Sequence, residues 1–120
     1  MSELEPDITP EFFFDDVVPH IFNATRLIRE QARVTGTCEI QLFGAERSSW
    51  TLNLGTGTVE KNKGGDSDLF LEMNREDFVA MLADELDVSA ALMQGRIRLQ
   101  GDVPLLTSLS TILRPRSMPY

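Results

Sequence analysis

The sequence predicts an α+β domain, because segments with helical and strand periodicity are grouped rather than strictly alternating. The order is a helix, a run of strands, helices, one strand and a final helix. Apolar residues recur at helical spacing early in the chain and then alternate with polar ones from Thr37 onward. Links between the strand segments are short, which favours an antiparallel meander. An apolar content of 42% with 25% charged residues is ordinary for a soluble globular chain, and 120 residues suffice for one core. No internal repeat or low-complexity segment interrupts the pattern.

Thr9-Pro10-Glu11 reads as a helix start, a hydroxyl cap followed by a proline whose missing N–H costs nothing there. Phe13, Phe14, Val17, Val18, Ile21 and Phe22 follow at helical spacing, and Pro19 is expected to kink or divide the helix. The stretch NATRLIREQAR continues as helix with Arg26, Arg29 and Arg33 along one side. TCEIQLF is the first strand, with Cys38, Ile40 and Leu42 on one face. After GAERS, SWTLNL is the second, with Trp50, Leu52 and Leu54 together. Gly55-Thr56-Gly57 is a tight turn, TVEKNK a polar third strand, KGGDSD a loop and LFLEM the fourth strand. Asn74 is expected to cap REDFVAMLADEL, whose stripe is Phe78, Met81, Leu82 and Leu86. Asp87 caps a short helix VSAALMQ, and Gly95 ends it in the left-handed conformation. RIRLQ is the fifth strand, Asp102 the cap of the last helix, and Arg114-Pro115 its stop.

Composition excludes several functions. Cys38 and His20 are the lone members of their types, so a Cys/His zinc site lacks ligands. A single cysteine also fits a reducing compartment. The net charge of −8 opposes nucleic-acid binding, which needs a basic face. The opening MSELEPDITPEF lacks the basic and apolar regions of a secretory signal, so a cytoplasmic location is expected.

Catalytic constellations are absent from the pattern. His20 sits beside the proline and reads as a surface or interfacial residue rather than a triad member. Cys38 alternates with Ile40 and Leu42, as a buried small hydrophobe does. Asp66 and Asp68 begin no calcium-loop pattern, Asp15-Asp16 and Asp84-Glu85 read as solvated helix faces, and the glycines match no phosphate-binding loop. No cofactor is implied.

The last helix is the informative one. Leu105, Leu106, Leu109, Ile112 and Leu113 span an arc of roughly 120° at 100° per residue. The opposite side carries Thr107, Ser108, Ser110 and Thr111, where a solvent-facing helix normally carries Lys and Glu. Ordinary core packing explains the stripe, and so does a movable wall over an apolar space. Met73, Met81 and Met93 on neighbouring elements suit an adaptable surface and are also ordinary core fillers.

SWTLNL, DLFLEMNREDF and ALMQGRIRLQGD, followed by a leucine-rich helix, together resemble the sterol carrier protein type 2 domain over roughly residues 9–113. The TPEFFF…VVPHIF segment is similar to the first helix of bacterial stand-alone members. Trp50, Phe78, Met93, Gly95, Gly101 and Asp102 match the family's pattern at positions that look structural. The resemblance implies an α+β fold with a five-stranded, mainly antiparallel twisted sheet covered by helices. It also implies an apolar tunnel that carries fatty acyl, acyl-CoA, phospholipid, isoprenoid or sterol-like lipids without catalysis. Residues 1–8 would then be a flexible N-terminus and 114–120 a C-terminal tail. Ser117-Met118-Pro119-Tyr120 departs from the Ser-Lys-Leu type of ending found in peroxisomal members. Helical facing assigns the tunnel to Leu82, Leu86, Leu92, Met93, Leu105, Leu106, Leu109 and Leu113. Arg26, Arg29 and Arg33 are the candidates for headgroup or transient membrane docking. The rival reading is an accessory module that uses the last helix to form a homodimer or to meet an enzyme partner.

Overall fold

The computed structural model describes residues 9–113 apart from Ala45 and Asp84. The expected N-terminus and tail, the Arg114-Pro115 stop and one member of the Asp84-Glu85 pair therefore lie outside the described residues.

Five strands form one sheet: β1 Thr37–Phe43, β2 Ser48–Asn53, β3 Thr58–Lys61, β4 Leu69–Asn74 and β5 Ile97–Gly101. Their spatial order is β3-β2-β1-β4-β5. Three of the pairings are antiparallel, but β1 and β4 run parallel, Ile40 facing Leu71. The expected meander is therefore wrong at its fourth strand. Burial supplies the reason. Leu69, Leu71 and Met73 of β4 are all buried, whereas Thr58, Glu60 and Lys61 of β3 are exposed. A meander would have put the polar strand inside the sheet and the apolar one at its edge. Instead residues 62–68 carry the chain past β2 and β1. That connection is pinned at both ends, by Asn62 Oδ1 accepting from the Ser49 N–H at 3.0 Å and by Asp68 Oδ2 accepting from the Thr37 N–H at 2.9 Å.

The helices cover one face. The first begins at α1 (Pro10–Phe12), where Thr9 Oγ1 accepts the Phe12 N–H as expected. It widens into a π-helical turn over Phe13–Val17 and continues as α2 (Val18–Ala24). Pro19 has no N–H for the carbonyl one turn back, and the wider turn just before it lets the helix pass through without breaking. The division comes later, at Thr25 (φ −101°, ψ 8°), before α3 (Arg26–Gln31).

Helix α4 spans Arg75–Leu82, four residues shorter than its sequence pattern, and α5 spans Val88–Met93. Carboxylates at Asp84 and Glu85 would face the negative end of the helix dipole, which favours stopping before them. Asp87 caps α5 through Ala90 as expected, but the Asn74 side chain makes no capping bond. The final helix, α6 (Val103–Leu113), starts from backbone contacts: the Leu105 N–H reaches the Asp102 carbonyl at 3.0 Å, and the Asp102 N–H reaches the Asp68 carbonyl at 2.8 Å. Gly101, at φ +107°, makes this approach feasible, because a Cβ there would collide with the Asp68 carbonyl.

The core is anchored by an aromatic stack. Phe14 lies flat against Trp50 (4.5 Å) and Phe78 (5.2 Å), with Phe13 edge-on to Phe14 and Phe78. The first helix, the sheet and α4 meet there. No described helix is long and apolar enough to cross a membrane.

Candidate functional site: an apolar crevice under the last helix

Beside the aromatic stack, the helical layer and the sheet do not close on each other. A cavity of about 170 Å³ remains. Its floor is Ile40, Leu71, Met73 and Ile97, the inward-facing residues of β1, β4 and β5. Phe13 and Phe78 close one side, and Leu109 of α6 is buried above it. The rim is half-buried: Met81 and Leu82 of α4, Val88 and Leu92 of α5, and Leu106 and Leu113 of α6. Among the described residues Ser110 is the one polar side chain in the lining, and it is exposed at the mouth. An apolar cavity of about 150 Å³ stays dry and admits benzene, so this one can take a comparable length of hydrocarbon. A sealed void of this size would cost about 4 kcal/mol in lost packing.

The sequence-derived candidates divide. Leu82, Leu92, Leu106, Leu109 and Leu113 come together around the crevice, while Leu86, Met93 and Leu105 are not in its wall. Leu86 falls beyond the end of α4, so helical facing no longer applies to it. Met93 is 89% exposed, because Val88, Ala91 and Leu92 form the inward face of α5 and the next residue turns away. Leu105 is buried elsewhere, with its methyl groups against Gly36. Helix-based reasoning missed the sheet floor, although the alternation in TCEIQLF and LFLEM marks Ile40, Leu71 and Met73. The hydroxyl side of α6 leaves Thr107, Ser110 and Thr111 exposed.

The arginine stripe does not survive as a stripe. Arg29 is buried, with Nη1 donating to the Leu54 carbonyl at 2.6 Å, Nη2 to the Phe22 carbonyl at 2.5 Å and Nε to Thr25 Oγ1 at 3.2 Å. Its guanidinium also lies over the Phe22 ring. The break at Thr25 frees the carbonyls ending α2, and Arg29 satisfies one of them. Arg26 is exposed on α3, and Arg33 is exposed beyond its end at φ +54°. A docking role for Arg29 is thus corrected to a structural one.

Three further arginines are held by acids: Arg75 by Glu11, Arg96 by Asp77 and Arg98 by Glu72. The Arg75 bond holds the Glu11 carboxyl below its usual range despite some desolvation, and the Asp77 bond raises the Arg96 guanidinium. Burial pushes the Cys38 thiol up to about 12, so it stays protonated and unreactive near neutral pH. His20 is exposed, and Asp68 is spent on Thr37. Among the described residues no three His, Cys, Asp or Glu side chains converge as metal ligands do.

Residues 24–114 match the SCP-2 sterol transfer family. Hydroxysteroid dehydrogenase-like protein 2 of Xenopus tropicalis is 30% identical over 92 residues, covering 72% of this chain and 22% of its own length. The chain thus spans about a fifth of that relative's length. The solution structure of sterol carrier protein domain 2 of Helicoverpa armigera superposes with a TM-score of 0.71 at 22% identity, covering 100% of this chain and 98% of that one. Sterol carrier protein 2 of Aedes aegypti, solved in complex with the C16 fatty acid palmitate, gives a TM-score of 0.67 at 16% identity, covering 84% and 90%.

Proposed function

Since the chain belongs to the SCP-2 sterol transfer family, we propose that it binds the hydrocarbon chain of a lipid in the crevice under α6 and carries it without chemical change. The observation that supports this reading is a hollow whose lining, among the described residues, holds no charged side chain and one hydroxyl. Palmitate in the Aedes aegypti neighbour supports the chemical class. Withdrawing a sixteen-carbon chain from water is worth roughly 12 kcal/mol gross, at about 0.8 kcal/mol per CH₂. Docking and ordering remove several of these. Against a membrane the gain is near zero, because the chain was already out of water. Such a protein holds its lipid in solution and exchanges it at a bilayer.

The hollow, about 170 Å³ and so close in volume to one that takes a six-carbon ring, is too small for a whole sixteen-carbon chain. Full occupancy therefore requires α6 to part from the half-buried rim of α4 and α5. That movement exposes Leu106 and Leu113 first, the residues already half in solvent. Work in the cytoplasm, with transient membrane contact, is part of the proposal.

Filling the hollow tests it. Leu106→Trp and Leu92→Trp place an indole in the crevice from half-buried positions. Both should abolish uptake of a fluorescent fatty-acid analogue while the melting temperature stays level or rises. Folded variants that still bind like the wild type would overturn the reading.

A second reading rests on the longer relatives. There the matched segment is part of a larger chain named as dehydrogenase-like, so here it would present lipid to a catalytic partner. Light scattering with and without lipid separates the two: a lone carrier stays monomeric, and a stable dimer without extractable lipid favours the module.

A further inference from the structure

Two methionines stand in the wall of the hollow, and they differ in their reach to solvent. Of the five methionines in the chain, Met1 and Met118 lie outside the described residues. Met73, on the floor, is 3% exposed, and Met93, outside the wall, is 89% exposed. Met81 falls between these extremes: it lines the hollow from the last turn of α4 and is half-buried at the rim. Resting on the carriage reading above, we infer that Met81 is an oxidation site through which peroxide disables the empty carrier, and that a bound lipid tail shields it.

The chemistry needs a peroxide and the thioether. The Met81 Sδ lone pair attacks one peroxide oxygen and the O–O bond breaks. That oxygen stays on sulfur as a sulfoxide and gives up its proton, and the other oxygen leaves as water. Sulfur loses two electrons and the peroxide gains them. Cys38 does not compete for the oxidant, because it is fully buried and stays a thiol, its pKa pushed up to about 12. A flexible apolar side chain thus becomes a polar one, in a wall that among the described residues holds one hydroxyl and no charge. A sulfoxide that stays in the wall loses its water when a tail enters, and gains no donor in exchange. One that swings out to solvent takes an apolar side chain from the rim. Either way the hollow holds hydrocarbon less well. A tail already in place covers Met81, so the oxidant reaches the sulfur when the protein is empty. Sulfoxide reductases return the thioether, which makes the change reversible.

The test adds hydrogen peroxide to the full chain with and without palmitate. Peptide mass spectrometry follows the sulfoxide at each methionine, and binding of a fluorescent fatty-acid analogue is measured at each time. Met93 should oxidise first, with affinity unchanged. Affinity should then fall about tenfold in step with Met81 while circular dichroism keeps the folded signal. Palmitate should slow oxidation of Met81 severalfold and leave that of Met93 unaffected. Met93→Leu should lose binding under peroxide as the wild type does, and Met81→Leu should keep through treatment whatever affinity it starts with. Met81→Gln, polar without any oxidant, should bind about tenfold more weakly than the wild type. The inference is overturned if peroxide leaves Met81 intact, if its sulfoxide forms with affinity unchanged, or if the loss tracks Met73, Met93 or unfolding instead. Met81→Leu failing alongside the wild type, or palmitate giving no protection, would overturn it too, with carriage left intact. Untreated protein that binds no analogue would sink carriage itself, and the inference with it.

Discussion

Arg29 shows how a single side chain can serve the fold where its spacing suggested a surface. Its guanidinium joins two carbonyls that no backbone donor reaches, and one of them, Leu54, is 25 residues away in sequence. Arg29→Ala would leave both acceptors buried and unpaired, which costs about 2–4 kcal/mol and should appear as a lower denaturant midpoint with an unchanged slope. Arg29→Lys should recover only part of the loss, since an ammonium lacks the planar fork that spans two acceptors. Spacing in NATRLIREQAR could not reveal this role. Helical periodicity reports which residues share a side, and the partner that turns one of them inward lies on a different element.

At the scale of elements, α4 is firm at one end and open at the other. Its start is held by Arg75–Glu11, by Arg96–Asp77 and by Phe78 in the aromatic stack, whereas Met81 and Leu82 at its end form part of the crevice rim. Glu11 has its pKa depressed in the folded chain, so its pairing adds stability above the ordinary value of 4.5 and loses it as pH falls through the lower folded value. Both side chains are more than a third exposed, which limits the contribution to under about 1 kcal/mol. Glu11→Gln should remove that part of the acid limb in a melting-temperature profile. A wild-type and variant difference that persisted unchanged at the lowest pH would contradict this assignment.

The sequence made most elements legible, including both bounds of β1 and the start of α6, because alternation and the leucine stripe are strong local signals. It concealed the π-helical turn and the parallel pairing of β1 with β4. Both arise where one segment adapts to another, Pro19 to its own upstream carbonyl and a polar β3 to the sheet edge. In the crevice the helical leucines were readable from facing, and the strand floor was readable but overlooked. The early stop of α4 displaced Leu86.

For the molecule as a whole, carriage needs an encounter surface as well as a hollow. Helix α3 presents Leu27 and Ile28, 65% and 66% exposed, beside Arg26. Aliphatic groups flanked by a cation suit shallow insertion among headgroups, as an interfacial helix does. Leu27→Ser with Ile28→Ser should slow lipid delivery to anionic vesicles severalfold, with equilibrium occupancy in solution unchanged. Equal delivery rates would remove α3 as the contact.

The position of α6 in the chain has a further consequence. This helix follows in sequence every element it covers, and the centre of the sheet joins β1 to a strand that arrives only after β2 and β3. On a ribosome the oily floor of Ile40, Leu71, Met73 and Ile97 is therefore synthesised before its roof and stands bare in the interval. The surface proposed to shelter a lipid tail in the finished protein is, for the nascent chain, a stretch in need of a chaperone.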